Sequence, residues 1–374
     1  SVYDLIDKIL PSWRRLSSGI DWVRLARSQG TPGGKVWRYA TIILKNIDKY
    51  FPGVPCIERD ARPRSTESHQ IRRRAQLTLK GNFVFCIEKF ESVMRSKLFV
   101  PGSRPELFPK ALASDADAVS FDLEDSVVDE RKDEARASVA QLIGQRSADD
   151  GKVLIVRLNG LDTPHFAADL DALAPLPNVI LNLPKIESAG QLKAALARAP
   201  RREDGRPHRV LANIESPGGL RKAAAIAAVE GVMGLQIGFG DLFITLGARH
   251  LPELARHVRI VVRLAAAEAS IPCFDGAFVG VADEAGFVAE AEAARALGFS
   301  GKSCIHPRQI AAANRVFLPT GEELARARAI VEAADAKADT GAFMLNGRMI
   351  DLPFIEQARR RLETAAAYAH SEGI

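Results

Sequence analysis

Cysteine, histidine, methionine and tryptophan are all scarce in this chain of 374 residues, which holds 4 Cys, 7 His, 4 Met and 3 Trp. The cysteines (Cys56, Cys86, Cys273, Cys304) are scattered without CxxC spacing, which argues for reduced thiols rather than a disulfide framework. No apolar stretch approaches the roughly 18 residues needed to cross a bilayer, so a membrane is not expected as a partner. The opening SVYDLIDKILPSWRRLSS lacks the basic head and apolar core of a secretory leader. The expected localisation is therefore cytoplasmic.

What is present is unevenly distributed. Residues 1–93 carry 17 Lys/Arg against 9 Asp/Glu, and the rest carries 34 against 37, so the formal charge of +5 comes from the first quarter. All three tryptophans and three of the four tyrosines also precede Met94, the first methionine. The expected organisation is a basic segment 1–93, upstream-translated or non-native, then a catalytic domain at 94–318 and a helical tail at 319–374. The basic segment shows no zinc pattern and no helix-turn-helix signature. Nucleic acid is therefore not expected as a partner, although IRRRAQ keeps open a docking protein as the non-enzymatic alternative.

From residue 97 short apolar runs alternate with Ala-rich amphipathic stretches. Strands are expected at 97–102, 118–125, 152–160, 179–187, 209–216, 234–241, 272–278 and 301–306. The runs are nearly continuously apolar, as befits parallel strands covered on both faces. Eight strand–helix units of this kind predict an α/β fold, a (β/α)8 TIM barrel with a C-terminal helical extension and an atypical N-terminal segment.

Working residues of such a barrel sit where strands end. Here the ends carry Arg104, then Asp122, Glu124 and Asp125, then Arg157 and Asn159, Lys185 and Glu187, Asn213 and Glu215, Asp241, and finally Lys302 and His306. Carboxylates at several ends without a Cys/His cluster point to a hard cation such as Mg²⁺. Two of these ends repeat the triplet Ile-Glu-Ser, in LPKIESAGQL and ANIESPGGL. On an extended strand Glu187 shares its face with Lys185, and Glu215 with neutral Asn213. A lysine beside Glu187 predicts a salt bridge there, so metal binding is assigned to Glu215, with Asp241 as its partner. Asp122 and Glu124 are expected to hydrogen-bond metal-bound waters, with Lys185 beside them. Arg104 and Lys110 flank the first helix start, where phosphates could be met. Lys302 is expected in a buried ion pair, and Cys273 and Cys304 in the core.

VPGSRPELFPKAL, SFDLEDSV, VRLNGLDT, LPKIES, ANIESPGG, GFGDL, GFSGKSCIHPRQI and GRMIDLP, in that order, resemble the HpcH/HpaI aldolase and citrate lyase β-subunit family, above all its CoA-ester lyase branch. The resemblance spans about residues 96–365. It implies a barrel that uses Mg²⁺ to break or form a carbon–carbon bond between a 2-oxo acid and an acyl-CoA enolate. It places the metal ligands on Glu215 and Asp241 and a substrate-binding arginine on Arg157, where a guanidinium can clamp a carboxylate. It places a late catalytic acid on Asp351, reaching a neighbouring subunit's site, and so implies a homo-oligomer, a trimer or hexamer. Members often carry an acidic pair before the sixth turn, where this chain has Gly240 before Asp241.

The implied activity is cleavage of malyl-, citramalyl- or citryl-CoA into acetyl-CoA and a 2-oxo acid. The alternatives are a CoA-free 2-oxo-acid aldolase and a malyl-CoA-type thioesterase.

Overall fold

The computed structural model describes residues 94–146, 152–176, 179–200, 202, 205, 207–336 and 341–371, apart from the side chains of 367 and 369–371. The expected division at 93 and the basic segment before it lie outside the described residues.

The eight strands form where the apolar runs are. They are β1 (Ser96–Pro101), β2 (Ala118–Asp122), β3 (Val153–Arg157), β4 (Val179–Leu183), β5 (Val210–Ile214), β6 (Val232–Ile237), β7 (Cys273–Asp275) and β8 (Gly301–Cys304). All pair in parallel with their chain neighbours, and β8 returns to β1 to close the barrel. In the closing register Ser96 faces Lys302 and Leu98 faces Cys304. A Cβ at Gly301 would collide with the Met94 carbonyl, so this seam needs glycine. β1 is shifted by one residue, and each of the other strands is shorter than expected, because the polar residues at its end turn into the loop that carries the chemistry.

The helices are α1 (Phe108–Leu112), α2 (Lys132–Gly144), α3 (His165–Leu173), α4 (Ala189–Arg198), α5 (Pro217–Arg221), α6 (Ala223–Ala227), α7 (Phe239–Leu246), α8 (Pro252–Glu268), α9 (Glu284–Ala296), α10 (Ile310–Phe317), α11 (Gly321–Ala336) and α12 (Leu352–Ser371). Their apolar faces and the outward-pointing strand residues make one core, which includes Val119, Phe121, Val156, Leu181, Ile214, Leu235 and Val262. Inside the barrel a second cluster stacks Met94, Ala118, Ile155, Ile180, Leu211 and Phe274. The tail builds a third core from Ala327, Ile330, Phe343, Ile350 and Ala358, between α11, α12 and an antiparallel hairpin of β9 (Ala342–Leu345) and β10 (Arg348–Asp351). Tyr368 of α12 lies with its ring centroid 4.4 Å from the Arg95 guanidinium, so the last helix packs back on its own barrel. No described helix is long and apolar enough to cross a membrane.

Candidate active site

The Ile-Glu-Ser triplets are strand-to-helix junctions. Ser188 accepts a hydrogen bond from the Gln191 backbone N–H at the start of α4, and Ser216 accepts one from Gly219 at the start of α5. Each is an N-cap, which is why the triplet recurs. The two glutamates then diverge. Glu187 is exposed, and its backbone N–H donates to Gln191 Oε1. Glu215 is 2% exposed, and its Oε1 accepts from the Lys185 backbone N–H at 2.6 Å. Asn213 Nδ2 approaches Glu215 Oε2 at 3.4 Å, as expected of residues on one face.

The expected Lys185–Glu187 salt bridge is not made. β4 ends at Leu183, and Lys185 takes a left-handed backbone (φ 53°), so the two-residue alternation stops before it reaches them. The Lys185 ammonium instead lies 3.0 Å from Glu124 Oε1, 3.9 Å from Asp125 and 4.0 Å from Asp241 Oδ1. Asp241 itself is not on a strand end. It belongs to the first turn of α7, where a carboxylate suits the positive end of the helix dipole. Gly238, just before α7, was not singled out in the sequence. Its lack of a side chain is required, because a Cβ there would collide with the Glu215 carboxylate.

Arg157 sits at the centre of the acids. Its Nε and Nη2 each donate to Asp122 at 2.7 Å, and its Nη1 lies 2.9 Å from Glu124 and 3.3 Å from Asp125. The fork expected to clamp a substrate carboxylate is thus held by Asp122. A guanidinium has five N–H groups, so at least one, on Nη2, is left over. Burial alone would raise the Asp122 carboxyl, but Arg157 outweighs it and holds that carboxyl below the ordinary range. Glu124 goes the other way, pushed up first by burial. Glu215 is pushed up to about 7, by burial first and then by the Glu124 carboxylate, with Asp241 adding to it. Below them Lys97 is fully buried inside the barrel and donates to Gln236 Oε1. Burial lowers its pKa, and Arg157 adds to that. A lysine inside an apolar strand was the signal for it in the sequence.

The remaining expectations fall elsewhere. Arg104 is half exposed and paired with Glu106, and Lys110 lies on exposed surface in α1. Asp351 closes the β9–β10 hairpin. Among the described residues no hydrogen bond or ion pair joins it to the barrel mouth, and its buried Oδ1 has no hydrogen-bond partner. Lys302 is buried against Asp275 (2.6 Å) and Glu290 (3.1 Å), which rules it out as a free amine nucleophile. Cys273 and Cys304 are buried, and burial pushes both thiols up to about 12.

The donor set fits a hard cation. Among the described residues no group of three or more His, Cys, Asp or Glu is placed to hold a metal, and no cation stands within ion-pair distance of Glu215. A buried carboxylate facing two others is relieved by a dication, and Mg²⁺ takes one or two carboxylates and keeps waters for the rest. Fold and donors together define a (β/α)8 enzyme with an oxygen-lined, Mg²⁺-type mouth.

The comparisons narrow that class. A family model described as HpcH/HpaI aldolase/citrate lyase matches residues 95–307. The citrate lyase subunit beta of Escherichia coli (strain K12) is 37% identical over 282 residues, 72% of this chain and 93% of that protein. The (3S)-malyl-CoA thioesterase of Cereibacter sphaeroides is 35% identical over 280 residues, 74% of this chain and 95% of that protein. The crystal structure of CitE from Mycobacterium tuberculosis in complex with magnesium, acetoacetate and coenzyme A superposes with a TM-score of 0.61. It is 34% identical, covering 72% of this chain and 97% of that one. This chain belongs to the HpcH/HpaI aldolase/citrate lyase family.

Proposed function

We propose that the chain is a Mg²⁺-dependent carbon–carbon lyase that cleaves a 3-hydroxyacyl-CoA, of malyl, citramalyl or citryl type, into acetyl-CoA and a 2-oxo acid. The observation that carries this is the buried Glu215 carboxylate, set against Glu124 and Asp241 at the mouth of the barrel. The magnesium and coenzyme A in the similar CitE structure support it.

Glu215 and Asp241 would hold the ion. When bound, it supplies Lewis acidity at the oxygen that becomes the keto group. Arg157 keeps Asp122 ionised and presents its remaining N–H toward the substrate's carboxylate, which orients the bond to be broken. Asp122 and Glu124 would accept hydrogen bonds from water around the ion. Cleavage removes the hydroxyl proton and breaks the carbon–carbon bond, whose electron pair goes to the thioester α-carbon. That carbon must then be protonated. Asp351 is the residue assigned to this proton exchange, acting in the site of a neighbouring subunit. Its partnerless Oδ1 suits a group completed by a second copy, and the assembly proposed is a homo-oligomer, a trimer or hexamer. Arg104 and Lys110 are the residues proposed to meet CoA phosphates. Residues 94–318 would form the catalytic domain and 319–374 the helical tail that contributes Asp351 to a neighbouring subunit's site, with 1–93 outside the catalytic unit.

Thioester hydrolysis is the second reading, favoured by the 35% identity to a malyl-CoA thioesterase. A coupled assay separates them. Malyl-, citramalyl- and citryl-CoA are supplied in turn, with Mg²⁺ or EDTA, and both free CoA and 2-oxo acid are followed. Metal-dependent release of 2-oxo acid and acetyl-CoA is the expected result. Free CoA without 2-oxo acid would select hydrolysis. Turnover of a CoA-free hydroxy-oxo acid, supplied in a parallel run, with none of the thioesters turned over, would select the aldolase.

A further inference from the structure

Lys185 holds a backbone conformation (φ 53°) that side-chain-bearing residues rarely adopt, and such strain persists only where the surroundings over-determine it. What it achieves here is contact with both assigned metal ligands from a single residue. Its N–H holds Glu215 Oε1 at 2.6 Å, and its ammonium reaches 4.0 Å from Asp241 Oδ1 and 3.0 Å from Glu124. The neighbouring cations are not available in the same way. The Arg157 side chain is 14% exposed and engaged by three carboxylates, and Lys97 is buried below on Gln236. The Lys185 side chain is 46% exposed, at the open end of the acid cluster.

We propose that Lys185 is a further substrate-binding residue: its ammonium meets the carboxylate of the 2-oxo acid once Glu124 and Asp241 face a divalent ion. This rests on Glu215 and Asp241 being the metal ligands. A divalent ion beside Asp241 repels the ammonium and weakens its hold on the acids. The nearest new anion is the substrate's carboxylate, and the Arg157 fork that could meet it is already engaged by Asp122.

The sign of the effect makes this testable. In the full chain, Mn²⁺ binding is followed by electron paramagnetic resonance, and pyruvate binding by its effect on the bound Mn²⁺ signal. Lys185→Met keeps the aliphatic stem, so its backbone strain is that of the wild type. It should bind Mn²⁺ on the order of ten-fold tighter, because a like charge has been removed. The Mn²⁺-loaded variant should bind pyruvate about ten-fold more weakly, because a charged hydrogen bond is lost. Lys185→Arg should restore both toward wild type. Mn²⁺ binding that is unchanged or weaker in Lys185→Met, or pyruvate binding that is unchanged, would overturn the proposal and leave Lys185 a structural residue. Glu215→Gln is run alongside. If it keeps wild-type Mn²⁺ affinity, the metal-site assignment itself fails; if Mn²⁺-loaded wild-type protein binds neither pyruvate, glyoxylate nor oxaloacetate, the proposed function and this inference fail together.

Discussion

Glu215 and Gly238 act as one unit at the scale of single residues. The carboxylate is seated against a backbone that has no room for a methyl group. Gly238→Ala is expected to displace that carboxylate and lower Mg²⁺ affinity at least ten-fold while the far-UV circular dichroism stays that of the wild type. Isothermal titration with Mg²⁺ or Mn²⁺ checks this, and an unchanged affinity would separate Glu215 from metal binding. Lys302 offers a contrast, because it stabilises rather than reacts. Burial alone would raise the Asp275 carboxyl, but Lys302 and Arg259 outweigh it and hold that carboxyl below its usual range. A folded-state pKa below the unfolded value means stability present above about pH 4 and lost as pH falls through the folded value. Lys302→Met should cost roughly 3–5 kcal/mol in urea unfolding at pH 7, because it strips a partner from buried carboxylates. Part of that difference should shrink below pH 4.

Among the elements, the β9–β10 hairpin decides where Asp351 stands. Its two-residue turn is Asn346-Gly347, with φ of 49° and 74°, the left-handed pair that two-residue hairpins favour. Ile350 and Phe343 anchor it to α11 and α12. Gly347→Ala strains that turn and should lower kcat several-fold, with Mg²⁺ affinity unchanged, because the proposed metal ligands lie just after β5 and in α7. Steady-state kinetics beside a metal titration test the split. A parallel loss of metal binding would mean that the tail shapes the metal site too.

At the scale of the whole molecule, the barrel closes through β1 and β8, at a seam just after Met94. Arg95 fastens the same end through its backbone and side chain to Asp117, at 2.7–2.9 Å. A chain beginning at Met94 is expected to keep its melting temperature within a few degrees and its full lyase activity. Loss of either would give residues 1–93 a role in the catalytic unit. Sedimentation of the same truncated chain would establish whether the tail-bearing unit assembles by itself.

Strand order, barrel closure and the gathering of Glu215 and Asp241 at one mouth were legible in the sequence. Continuous apolar runs at regular spacing leave a parallel barrel as the way to bury both faces of each strand. Polar residues at the ends of those runs have nowhere to go but the mouth. What the sequence could not settle was which charge meets which. Lys185 was expected on Glu187 by strand alternation. The chain leaves the strand two residues too early for that, and the ammonium swings to Glu124 and Asp241 on other elements. Arg157 was expected to be free for substrate, yet Asp122 on the neighbouring strand, its partner in register, takes its fork. Pairings of this kind depend on ångström distances between elements far apart in the chain. Coulomb interactions in a buried mouth fall off over those same distances, so only the folded barrel decides them.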